Sequence, residues 1–130
     1  MQMINSRRPP AEVAILTVYL VIAYDQEKQK TTTRARISQA TLRIISERKR
    51  LHAAFIDEWI DELADLGWSV FQVGDHFALI QTEAVDGWVR ISTKRIRPIL
   101  QRLSIGDETA LPEVAALVLR RAPQEETDEE

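Results

Sequence analysis

The stretch FIDEWIDELADLGW, residues 55–68, admits few structures. Phe55, Ile56, Trp59, Ile60, Leu63 and Leu66 recur at the i, i+3, i+4 spacing of one helical stripe. Asp57, Glu58, Asp61, Glu62 and Asp65 fall on the other side of the same helix. A helix patterned this way must lay its apolar stripe on other elements of the chain. The spacing predicts a helix from about His52 to Leu66, ended by Gly67 as a left-handed residue. Two β-like runs follow, WSVFQV and HFALIQ, joined by Gly74-Asp75. Glycine in the first position of a two-residue loop favours a type II′ hairpin turn.

Upstream, the most apolar stretch runs from Val13 to Tyr24. Twelve residues are too few to span a bilayer as a helix, which takes about 20. Arg7 and Arg8 imitate the basic start of a signal peptide, but Pro9-Pro10 intervene and Asp25-Gln-Glu-Lys follows where a cleavage site would need small residues. The stretch therefore reads as a first helix from about Ala11 to Lys28, with Pro10 in its first turn. Its apolar residues lie on nearly every side, which suits a helix that is central to the core or shared with a second copy of the chain. Lys30 to Ile37 alternates and contains β-branched threonines, so a short strand is expected near Arg34 to Ile37. Ser38 is an N-cap for a second helix, QATLRIISERK, with Leu42 and Ile45 facing inward.

Downstream, Trp88-Val-Arg-Ile-Ser reads as a further strand. Ser92 caps a basic helix, STKRIRPILQRL, which Pro98 must kink or restart. Ala110-Leu-Pro opens a last helix. The expected organisation is a loose lead-in over 1–10, a single α+β domain over 11–122 and a disordered acidic tail over 123–130.

The order helix, short strand, helix, turn, helix, hairpin over residues 11–81 resembles the winged helix-turn-helix superfamily. The likeness rests on ARIS at 35–38, LRIIS at 42–46, the amphipathic stretch at 55–68 and the Gly74-Asp75 hairpin as the wing. It implies an α+β winged-helix core with an extra strand and C-terminal helices. It also implies double-stranded DNA as the partner of a dimeric regulator or accessory protein, with the helix at 52–66 in the recognition position. That helix departs from the DNA-binding pattern, because its outer side bears five carboxylates where phosphates line the groove.

The net charge of −3 conceals strong segregation. Residues 25–51 hold eight basic and three acidic side chains, and residues 52–66 hold five acidic ones and no Lys or Arg. The DNA-binding candidates are Arg34, Arg36, Arg43, Arg48, Lys49, Arg50, His52, His76, Lys94, Arg95 and Arg97. Among these, Arg48-Lys49-Arg50 precedes the dipole-positive end of the third helix. Arg34 and Arg36 point the same way from one strand, either to a shared exposed face or to pairs with Asp57 or Glu58. The alternative is a protein-interaction module, in which Asp57, Glu58, Asp61, Glu62 and Asp65 dock on a basic partner or imitate nucleic-acid charge.

The chain has no cysteine, which excludes disulfides, a thiolate nucleophile and cysteine-based metal sites, and suits a reducing, cytoplasmic setting. No catalytic triad pattern, phosphate-binding glycine loop or dinucleotide fingerprint occurs, so no enzyme, cofactor or metal is expected. Trp59 belongs to the apolar stripe, and Trp68 and Trp88, each after a glycine, are expected to pack under the sheet.

Overall fold

The structure is a computed structural model, and it describes residues 7–121. The chain divides into two compact units at Trp88–Val89, inside the span 11–122 expected to act as one. Of the expected end segments, residues 1–6 and the tail at 123–130 lie outside the described residues.

The first unit is α+β, with α1 (Pro10–Lys28), β1 (Arg34–Ser38), α2 (Gln39–Ser46), α3 (Ala53–Asp65), β2 (Trp68–Val73) and β3 (His76–Gln81). The three strands form one antiparallel sheet in the order β1-β3-β2. Ile37, Phe77, Leu79 and Trp68 turn one sheet face towards the helices, where they meet Val13, Leu42, Phe55, Trp59 and Leu63. Each large apolar side chain buried this way contributes about 1.5–3 kcal/mol. Trp59 and Phe77 meet edge to face with ring centroids 5.1 Å apart. The indole N–H of Trp59 donates to Thr17 Oγ1 at 3.2 Å, and that hydroxyl donates to the Val13 carbonyl at 2.7 Å. The polar handle of the largest core residue is thereby satisfied.

Local chemistry sets the boundaries. Ser38 Oγ accepts from the Thr41 N–H at 3.1 Å and caps α2. Gly67 lies at φ +90, ending α3 as its position after an apolar stripe predicts. Gly74 lies at φ +58 while Asp75 is not among the positive-φ residues, the pattern of a type II′ turn.

Five expectations are corrected. α2 stops at Ser46, three residues short of the expected end: Glu47 turns left-handed at φ +56, and the Arg48 N–H closes back on the Arg43 carbonyl at 3.0 Å. Arg8 occupies the freed carbonyl end, with its N–H on Ser46 O at 3.1 Å and its guanidinium on Ile45 O at 2.8 Å, so this part of the lead-in is fixed. Leu66 is exposed, because α3 ends one residue before it. Residues 88–92 form no strand: after β3 the chain enters a 3-10 turn at Thr82–Gly87, and the sheet stays three-stranded. Trp88 accordingly stands 59% exposed instead of packing beneath the sheet.

The second unit holds a 3-10 turn at Thr93–Arg95, α4 (Arg97–Ser104) and α5 (Ala110–Arg121). Pro98 restarts the helix, as its missing N–H requires. Arg102 of α4 ties the pair together. Its Nε donates to Asp107 at 2.8 Å, and its two terminal nitrogens each donate to Glu113 at 2.9 Å. No helix among the described residues is long and apolar enough to cross a membrane.

Candidate functional site

The eleven expected cationic or histidine positions fall into three groups. Arg43, Arg48, Lys49, Arg50 and His52 belong to α2 and the turn before α3; Arg34, Arg36 and His76 belong to the outer face of the sheet; Lys94, Arg95 and Arg97 belong to the second unit.

Within the first group the triad splits. Arg48 stacks its guanidinium over the Phe55 ring, 4.0 Å from the centroid, and donates to the Arg8 carbonyl at 2.9 Å. These contacts commit it to joining the lead-in, α2 and α3, and its charge is half-buried. Lys49 and Arg50 are exposed. His52 is the N-cap of α3 but makes no side-chain cap, and Ala53 and Ala54 after it are small and exposed. The first N–H groups of α3 thus stand near two free cations with little side chain in front of them.

Farther along α3, Asp57, Glu58, Asp61 and Asp65 are exposed and Glu62 is half-buried. Among the described residues, no cation lies within salt-bridge distance of any of the five. The expected alternative pairing of Arg34 or Arg36 with Asp57 or Glu58 is therefore absent.

The second group borders a cleft of about 630 Å³ between α1 and β1. Its floor is apolar, from Leu20, Val21 and Ile37, and Lys30, Arg34 and Arg36 stand on its walls. Lys30 Nζ sits 5.5 Å from the centroid of Tyr24, held at the rim by a cation–π contact. The Asp25 carboxylate is occupied by the backbone N–H and hydroxyl of Thr32, and among the described residues no acidic side chain lines the cleft. On the outer sheet face, Arg36, Ala78 and Phe71 lie side by side across the three strands. Phe71 is 55% exposed.

Sequence reasoning singled out Arg34 and Arg36, with Lys30 among the further cations, but not Tyr24 or Phe71. The alternation of β1 was readable, whereas the neighbours that make it a cleft wall come from α1, across the sheet and a connecting loop. Among the described residues no group of three or more His, Asp or Glu side chains is placed to hold a metal ion. Comparison with protein-family models, curated proteins and solved structures finds no match to this chain.

Proposed function

We propose that residues 10–81 form a winged-helix-type module, that the chain acts by binding and not by catalysis, and that its target is duplex DNA. One observation carries this reading: exposed Lys49 and Arg50 flank the uncapped, unobstructed start of α3, within the element order of a helix-turn-helix followed by a hairpin. The carboxylates beyond the first turn oppose phosphate, so α3 engages end-on through its N-terminal turn and does not lie along the major groove. Two copies join along α1, whose Ile15, Tyr19 and Ile22 form one outward apolar row and are 59%, 60% and 47% exposed. With the adjacent Leu16, Leu20 and Tyr24, the exposed area is on the order of 600 Å² per copy, close to what one side of a stable interface contributes.

The test is binding to labelled duplex DNA across a salt series, with sedimentation of the same samples. Affinity falling steeply with salt is expected, and Lys49→Glu with Arg50→Glu should weaken it about tenfold or more. Replacing Asp57, Glu58, Asp61 and Glu62 by their amides should tighten it. A salt-independent signal, or unchanged affinity after the reversal, overturns the reading.

A second reading is favoured because, among the described residues, the α3 carboxylates have no ion-pair partner: the helix docks on a basic protein surface. There the same four amide substitutions weaken the complex, the opposite sign to DNA.

A further inference from the structure

The edge of the sheet at β1 has a defined polarity that follows from two backbone hydrogen bonds. The Gln81 N–H donates to Thr33 O at 2.8 Å, and the Gln39 N–H donates to Asp75 O at 3.2 Å. They bracket β1 and fix the phase of its antiparallel ladder: Ala35 and Ile37 turn their N–H and C=O groups to β3. The backbone groups of Arg34 and Arg36 then turn the other way. β1 is an outer strand in the order β1-β3-β2, so that other way is the cleft. An edge of unpaired donors and acceptors is a template for another strand.

The geometry points to this edge as a docking site for an extended acidic segment of a protein partner, added to the sheet as a fourth strand beside β1. The added strand's side chains alternate between two environments. On the outer face they lie beside the Arg34 and Arg36 side chains, which form no salt bridge among the described residues. On the inner face they meet Leu20, Val21 and Tyr24 of α1. The recognised pattern is therefore acidic and apolar in strict alternation, over about the five residues of β1. Lys30 at the rim attracts the same sign of charge. Arg34, Arg36 and Lys30 share nothing with Lys49, Arg50 and the start of α3, so the peptide and DNA contacts are tested separately. Leu20 and Tyr24, by contrast, also belong to the α1 face along which two copies join, so peptide and dimer compete for them.

The probe is a short blocked peptide alternating valine and glutamate, titrated into the full chain and followed by NMR and amide exchange. Binding is expected to slow exchange of the Arg34 and Arg36 N–H groups, and a valine–lysine peptide is expected not to bind. N-methylation of the peptide amides in the register facing β1 should abolish binding. Arg34→Glu with Arg36→Glu should weaken it about tenfold or more. Arg36→Pro removes a cleft-facing donor while sparing the ladder bonds of Ala35 and Ile37, and should also abolish binding. Should that variant not fold, the methylated peptide on the native chain decides alone. Four results overturn the proposal. One is no binding of the valine–glutamate peptide, and another is equal binding of the methylated one. The third is hexanoate alone reproducing the shifts and displacing the peptide, which makes the cleft a small-anion site. The last is slowed exchange of the Arg34 and Arg36 N–H groups on raising protein concentration in the absence of peptide, which assigns the edge to a second copy.

Discussion

The first unit gathers eleven buried apolar side chains into one cluster around Trp59 and Phe77, while among the described residues of the second unit Ala110 alone is buried. In place of a core, the second unit has a guanidinium. Arg102 reaches Asp107 and Glu113 and is joined by the Thr109 hydroxyl at 3.1 Å. The contrast follows from size: a segment of only about 40 residues buries little apolar surface and needs some other tie. Burial is non-directional and tolerates salt and acid, whereas a polar cluster depends on protonation and on each partner's geometry. The two units should therefore break under different perturbations.

The largest expected effect is on the first unit. Trp59→Ala empties the centre of the cluster and removes the edge-to-face contact with Phe77. A cost of about 3–5 kcal/mol is expected, a large share of what a domain of this size possesses. Denaturant midpoints and near-ultraviolet dichroism measure it. The contacts of Arg102 draw on no group in the first unit, so the Thr109 amide resonance should keep its position in this variant. Its collapse together with the core would erase the distinction between the two kinds of cohesion.

A smaller change tests how the core handles its one large polar handle. Thr17→Val keeps shape and removes the hydroxyl that accepts from the Trp59 indole N–H, leaving a buried donor unpaired. Destabilisation of about 1–3 kcal/mol is expected. Thr17→Ser, which retains the oxygen, should recover most of the hydrogen-bonding part. Equal losses in the two variants would mean that packing of the threonine methyl, and not the hydrogen bond, holds this position.

The same contrast explains what the sequence made legible. α3, the Gly67 stop and the Gly74 turn are written in periodicity and backbone freedom within a few residues, and each forms where the pattern places it. The failures concern partners distant along the chain. Val89 to Ile91 alternate like a strand, but alternation supplies a face and not a partner strand, and these residues join none. Arg48 looked interchangeable with Lys49 and Arg50, yet Phe55 lies one turn into α3 and Arg8 forty residues earlier, and together they draw it inward. Arg34 and Arg36 were visible as a pair, while the free edge beneath them depends on a strand order that no local window contains. Arg102 was legible only as one more cation in a basic stretch; its partners Asp107 and Glu113 became meaningful once the α4–α5 turn brought them to it.

The mildest perturbation, acid, should separate the units most cleanly. The Asp107 carboxyl is held down to about 2 from an ordinary 3.8, first by the Thr109 hydroxyl, then by the Arg102 guanidinium and the Thr109 N–H. Glu113 is also lowered, chiefly by Arg102. A carboxyl depressed in the folded chain stabilises it fully above the ordinary value, and that contribution is lost as pH falls through the depressed one. The cluster should therefore weaken between pH 3.8 and about 2. The indole N–H of Trp59 is bonded to the hydroxyl of Thr17, which carries no titrating group, so that hydrogen bond should persist across the window. The Thr109 amide, which donates to Asp107 Oδ1 at 2.9 Å, is the reporter, and its titration midpoint is expected near 2. Arg102→Gln should raise that midpoint without restoring 3.8, because the Thr109 hydroxyl, the largest cause, remains. A native midpoint already at 3.8 would show that Arg102 and Thr109 do not grip Asp107 in solution, and that the second unit lacks the tie that stands in for its core.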